Sequence, residues 1–301
     1  MSATRELIAR LREQLGESAP LSPAGPALPL TPPPRRVFPS PRTRSSLQGQ
    51  AAAHTTALVG IGRVGTRYAT DVVLQFQAEL AVAHHAVASL LPEEWIEQNG
   101  LLNLQTRVSD HQEFLLRPDL GRRLSDASRQ ALQTRARKDI DIQPILADGL
   151  SAEACIGSGM EVLGALIGEC ESRGWTVGTP MCARFGRVWL QDEIGELLGA
   201  KVCIIILGER PGLGTGDGLS AYVVHNPAIG KTDSDRNMIS NIHARGTSPN
   251  SAASRLADLA GAMLEQGTSG VGLDLSRVAP GNTATELRAP QVRESLVEVG
   301  R

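Results

Sequence analysis

Five short stretches carry the residues best suited to chemistry. "RFGRV" (184–188) sets Arg184 and Arg187 on either side of a glycine, with Val188 next. "GERPGLGTGDG" (208–218) places Glu209 and Arg210 in a glycine-rich run directly after the apolar segment "KVCIIIL" (201–207). "ADGLS" (147–151) puts Asp148 where an apolar run ends and a helix is expected to open. "SNIHARGTSP" (240–249) holds Asn241, His243 and Arg245 ahead of the last predicted helix. "GIGRVGT" (60–66) spaces Gly60, Gly62 and Gly65 as G-x-G-x-x-G. A guanidinium holds carbonyls, carboxylates and phosphates with directional N–H groups. Glycines in the same loops let backbone approach a ligand closely.

Context decides which of these signals survive. A dinucleotide loop needs a strand before it, a helix opening at it, and a second strand about 20 residues on that ends in an acid. Only "ALV" precedes Gly60, and the positions near Glu79 fall inside a helical pattern. An NAD-dependent oxidoreductase therefore stays an alternative, and the glycines are expected to serve a tight turn. The run at 208–218 is no P-loop, because no Lys follows its glycines. "NIHARG" nearly matches D-x-H-x-x-G, by which some cobalamin proteins offer a histidine to cobalt. Its first position is Asn241 and it lies late in the chain, so a His243–cobalt bond is not expected. Cys155, Cys170, Cys182 and Cys203 show no CxxC pairing and read as structural thiols. His84 and His85 would diverge by about 100° on a helix, too far to chelate one metal together. A net charge of −2 gives no electrostatic case for nucleic acid. The apolar runs are too short to cross a bilayer, and no secretory h-region opens the sequence, so a cytoplasmic location is expected.

The elements that must position these residues follow from periodicity. With aromatic residues at only 3%, the core has to be Leu, Ile, Val and Ala. Residues 2–17 read as a short amphipathic helix with Leu7, Ile8, Leu11 and Leu15 on one face. Residues 18–53 read as a disordered Pro-rich linker that includes Arg35, Arg36, Arg42 and Arg44. From 54 to 138 the pattern is mostly helical. A helix is predicted over 70–91 with Val73, Phe76, Leu80, Ala83, Val87 and Leu91 as its buried stripe, then a short strand within 101–108 and a helix over 119–137. From 139 to 275, strands (141–149, within 175–185, 201–207, 219–225) alternate with helices (151–174, 192–200, 251–266), which predicts an α/β fold with a mostly parallel sheet. Ser151 is the expected cap of its helix and Gly174 its stop. Residues 276–301 read as a loose tail.

Taken in order, "GRVGTRYATDVVLQFQAE", "PEEWIEQNGLLNLQTRVSD", "LLRPDLGRRLS", "ADGLSAEA", "VGTPMCARFGRVWLQDEIGELLGAKVCIIILGERPGLG" and "DRNMISNIHARGTSP" resemble the small subunit of ethanolamine ammonia-lyase over about residues 58 to 275. The resemblance implies a small helical domain followed by a Rossmann-like α/β domain. It implies an adenosylcobalamin-dependent radical conversion of ethanolamine to acetaldehyde and ammonia. A TIM-barrel large subunit would hold the substrate while this chain closes the cofactor site. Family cofactor contacts carry over to Val188, Glu209 and Met238. Arg187 is added on chemical grounds, as a group for a corrin amide carbonyl or the nucleotide phosphate; pairing with Asp192 or Glu193 is its competing role. The family keeps cobalamin's own benzimidazole on cobalt, in line with the missing D-x-H-x-x-G. One departure stands out. Where the family's first long helix reads F-x-A-D-H-x-x-x-[RK]-D, this chain has Glu79, Leu80, His84 and His85, which leaves a non-catalytic cobalamin-binding or assembly module open. The N-terminal helix is of the kind that docks enzymes to the shell of a bacterial microcompartment by helix-in-groove packing. The polar tail also runs past the usual family end.

Overall fold

The computed structural model describes residues 61, 63–212, 216–244 and 246–278. The predicted helix and linker at 1–53, the residue Arg245 and all but the start of the 276–301 tail lie outside these residues. In chain order the strands are β1 (Arg63–Val64), β2 (Arg67–Tyr68), β3 (Leu102–Gln105), β4 (Ile142–Ala147), β5 (Met181–Arg184), β6 (Val202–Gly208), β7 (Leu219–His225) and β8 (Arg236–Ile242). The helices are α1 (Thr70–Ala88), α2 (Glu93–Gln98), α3 (His111–Leu116), α4 (Asp126–Arg135), α5 (Met160–Ser172), α6 (Leu190–Leu198) and α7 (Pro249–Gln266).

Six strands form one sheet in the order β3-β5-β4-β6-β7-β8. The β3–β5, β5–β4 and β4–β6 pairs are parallel, whereas β6–β7 and β7–β8 are antiparallel. Along β6 every residue is buried, and side-chain parity decides the layer. Val202, Ile204 and Ile206 join α5 and α7 in one apolar cluster, while Cys203, Ile205 and Leu207 join α4 and α6 in the other. A strand covered on both faces has to read as a continuous apolar run, and "VCIIIL" does. Each fully buried Ile contributes on the order of 2 kcal/mol. All four cysteines are buried free thiols. Among the described residues no helix is long and apolar enough to cross a membrane.

Several local signals act as expected. The Ser151 hydroxyl accepts from the Ala154 amide and caps the short turn at Ala152–Ala154, which continues through a π turn at Cys155–Gly159 into α5. Gly174, the expected stop, follows the end of α5 in the left-handed region at φ 78°. β7 occupies the predicted 219–225.

Three expectations need correction. α1 ends at Ala88 and buries Val72, Glu79, Ala83 and Ala86; Val73 and Leu80 face outward at 38% and 47% exposure. The helix docks through smaller residues, and of the buried Glu79 carboxylate Oε1 accepts from Gln75 Nε2 at 3.0 Å while Oε2 has no partner among the described residues. The predicted 119–137 helix is broken: Leu120–Arg122 is a 3-10 turn, and α4 starts only at Asp126 behind the Ser125 cap. Residues 236–242, for which no strand is predicted and whose last three begin the 240–249 stretch read as a loop, form β8, an edge strand with Asn237, Met238, Ser240 and Asn241 at positions that are not buried. In addition, β3 from within the mostly helical 54–138 stretch supplies the other edge of the sheet.

Candidate functional site

At the carboxyl ends of β4, β5 and β6 a cavity of about 440 Å³ opens to the surface. β4 is followed by β5 on one side and β6 lies on the other, so the connections diverge here and leave the crevice where open α/β sheets bind ligands. The loop after β4 packs on the end of β6. Gly149 has φ +55°, a Cβ there would lie 2.5 Å from the Gly208 carbonyl oxygen, and Leu150 N–H donates to that oxygen at 3.0 Å. Asp148 lies beneath, 3% exposed. Its carboxylate accepts from the Gly186 amide at 3.3 Å, and burial pushes its pKa up to about 6, with the neighbouring backbone amides of Phe185, Gly186 and Gly149 opposing the rise. Asp148 thereby ties the 148–150 loop to the loop that carries Arg187.

That second loop is held in a demanding shape. Phe185 is left-handed at φ 55°, which a bulky residue adopts only when its surroundings impose it. The Thr106 hydroxyl donates to its carbonyl at 3.0 Å, and its ring packs on Phe114 with centroids 5.8 Å apart. Arg187 N–H donates to the Gly121 carbonyl at 2.9 Å, so the "RPDLGRRL" stretch serves as the platform for this loop. The Arg187 guanidinium lies 4.0 Å over the Phe114 ring and Nη2 donates to the Phe114 carbonyl at 2.7 Å. Its Nε is buried with no hydrogen-bond partner among the described residues. Burial, with Arg122 nearby, lowers its pKa. The competing roles for Arg187 fall away. Asp192 is taken by Arg236 in a two-pronged pair at 3.0 and 2.9 Å, and Glu193 is taken by Arg129 and the Leu124 amide.

Glu209 follows β6, with its N–H on the Gly218 carbonyl at 2.9 Å. Its Oε1 accepts from the Ser220 hydroxyl and, at 3.2 Å, from the Asn241 amide. Across the crevice Met238 stands opposite Tyr222 in the β7–β8 register, 48% exposed on the wall of the cavity. Val188, half-buried, is packed against the cluster of Ile205 and Leu207.

Arg187, Val188, Glu209 and Met238, drawn from three separate stretches of sequence, thus line one cavity, with Arg210 also on its lining. Others singled out in the sequence do not. Arg184 pairs with Glu93 at 2.8 Å, and His243 is buried against Asn241 at 2.7 Å. Gly65, φ +65°, turns the β1–β2 hairpin, and α1 opens only after that hairpin; Gly60, Gly62 and the apolar run before them lie outside the described residues. Phe114, Ser220 and Tyr222 on the lining were not read from sequence, because an aromatic in a short helix and a Ser–Tyr alternation within a strand look like core and pleat. Among the described residues no three or more His, Cys, Asp or Glu side chains cluster to hold a metal ion. At the departing helix, His85 Nε2 lies 4.0 Å from Glu153, and Leu80 and His84 face outward.

The lining suits part of a large amide-rich macrocycle. Val188, Leu207, Tyr222 and Met238 offer apolar contact area, while Arg187, Glu209 and Ser220 offer donors and an acceptor at the edge. The Arg187 guanidinium is a cationic group on this lining, and it stands over Phe114 without a carboxylate partner among the described residues. A family model described as ethanolamine ammonia-lyase light chain (EutC) matches residues 47–274.

Proposed function

The chain belongs to the ethanolamine ammonia-lyase light-chain family, and on that premise we propose that it closes the adenosylcobalamin site of the lyase against a TIM-barrel large subunit that holds ethanolamine. Membership makes it one subunit of a lyase, and a light chain implies a larger partner. One observation carries the finer reading: four residues chosen from sequence as cofactor contacts converge on a single cavity at the carboxyl ends of the strands. A corrin with its nucleotide arm is larger than this cavity, which supports a chain that covers one side of the cofactor and leaves the other to a partner. When bound, adenosylcobalamin supplies the radical that removes hydrogen from ethanolamine. The residues of this chain bind and orient. Val188 and Met238 pack on the corrin, Glu209 accepts from its edge, and Arg187 donates to a rim carbonyl or the nucleotide phosphate.

The outward Val73, Leu74 and Leu80 of α1 and Leu115 and Leu116 of α3 offer apolar surface for the large subunit. Docking of the N-terminal helix to a microcompartment shell is part of the same proposal and concerns residues outside those described.

The test is reconstitution. The chain is mixed with a large subunit, adenosylcobalamin and ethanolamine, and acetaldehyde is expected only with both subunits. Glu209→Ala should weaken cobalamin binding in the assembled enzyme by about tenfold, the size of one charge-assisted hydrogen bond. An unchanged affinity would remove Glu209 from the site. NADH binding by the isolated chain would revive the dinucleotide reading, and corrinoid binding without turnover would favour the non-catalytic one.

A further inference from the structure

Glu209 is gripped by two donors from neighbouring strands. The Ser220 hydroxyl, on β7 and 4% exposed, donates to Oε1. The Asn241 amide, near the end of β8, donates to the same oxygen at 3.2 Å. Oε2 has no partner among the described residues. The Asn241 amide is aimed by a tight turn. Asn241 sits at φ 59°, a left-handed conformation that Asn tolerates through its short polar side chain. Its Oδ1 pairs with His243 Nε2 at 2.7 Å. Its carbonyl accepts from Thr247 N–H at 2.9 Å, and His243 N–H donates to the Thr247 carbonyl at 3.1 Å. The stretch whose sequence nearly spells a cobalt-ligating motif therefore uses its histidine to lock a turn whose backbone reaches Glu209.

We propose that Ser220 and Asn241 are positioning residues that fix Glu209 through Oε1, so that Glu209 meets the corrin rim through Oε2 alone, as acceptor for a primary amide N–H. The proposal rests on the reading of Glu209 as a cofactor contact. Two donors on one carboxylate oxygen hold the side chain before the ligand arrives, which removes the cost of ordering it on binding. The fixed group then discriminates. An amide NH₂ on the rim satisfies the free oxygen, whereas a rim carboxylate at the same place would present like charge and no donor.

The experiment is an absorbance titration of cobalamin into the assembled two-subunit enzyme. Ser220→Ala should weaken binding about fivefold, and Ser220→Thr, which keeps the hydroxyl, should return it to within about twofold of the parent. In a Glu209→Ala background, Ser220→Ala should add nothing, because its effect runs through the lost carboxylate. Full additivity in the double variant overturns the positioning role, as does an unchanged Ser220→Ala affinity where Glu209→Ala binds weakly. An unchanged affinity in Glu209→Ala overturns instead the assignment on which the proposal rests. Cobalamin derivatives with single rim amides hydrolysed to carboxylate give a readout free of turnover. The parent should reject at least one of them more strongly than Glu209→Gln does; equal rejection by both enzymes overturns the acceptor role.

Discussion

Two regions at the sheet treat charge in opposite ways. On the flank, Arg236 is buried and meets Asp192 with both prongs, while its remaining N–H groups donate to the carbonyls of Thr232 at 3.1 Å and Lys231 at 3.2 Å. Trp189 stacks near it, and beside it Glu193 is matched by Arg129. In the crevice, Arg187 stands over an aromatic ring but makes no ion pair among the described residues, and neither do Asp148 and Glu209. The same side-chain types form a closed, charge-matched joint in one place and stand without an ion-pair partner among the described residues in the other. Saturation, not charge or burial alone, separates the two.

The largest effect is expected on the closed side. Asp192→Ala leaves Arg236, buried at 2% side-chain exposure, with only the exposed Asp233 carboxylate at 3.8 Å. Loss of one partner of such a pair costs about 3–5 kcal/mol. Urea unfolding of the variant should show that loss. A cost below about 1 kcal/mol, typical of exposed pairs, would break the contrast.

The next effect has the opposite sign in pH. Asp148 has no cation in an ion pair, and its folded pKa of about 6 lies above the ordinary value of 3.8. A raised acid binds more protons folded than unfolded across that interval, so its contribution to stability falls as pH rises from about 4 to about 6 and is level outside it. The shift corresponds to about 3 kcal/mol across the window. Unfolding measured at intervals from pH 4 to pH 7 should show the parent losing stability relative to Asp148→Asn as pH rises. A parallel pair of curves would mean that the backbone amides match this charge as fully as Arg236 matches Asp192. Asp141 provides an internal control: the Lys201 bond, at 2.7 Å, holds its pKa down to about 2, so its stabilisation is lost only as pH falls below about 4.

The central strands of the sheet were the more legible part of the sequence. β6 and β7 could be read from their apolar runs, and Ser151 and Gly174 from cap chemistry, because local patterns of burial and backbone dihedrals determine them. β8 was hidden because an edge strand needs few apolar residues, and the face of α1 was misjudged because size was taken for burial. Val188, Glu209 and Met238 were found through family motifs, and nothing in their spacing shows that they share a cavity. The fate of Arg187 could not be read locally at all. Asp192 and Glu193, a few residues on, looked like its partners, and only the fold shows them taken by Arg236 and Arg129, from 44 and 64 residues away.

Arg187 therefore gives the sharpest test, with the smallest effect. A guanidinium without a carboxylate contributes to the fold only through the Phe114 carbonyl and the stacked ring, a contact of about 1 kcal/mol at a half-buried position. Arg187→Gln should accordingly shift unfolding by no more than about 1 kcal/mol, well short of the Asp192→Ala cost. In the assembled enzyme it should weaken cobalamin binding by roughly tenfold, as expected for one lost charge-assisted donor. The two measurements have to diverge. If stability falls as far as in Asp192→Ala while affinity holds, Arg187 is a second structural joint, and the crevice is closed chemistry like the flank. If affinity falls while stability holds, the Arg187 guanidinium is a group whose partner comes with the ligand.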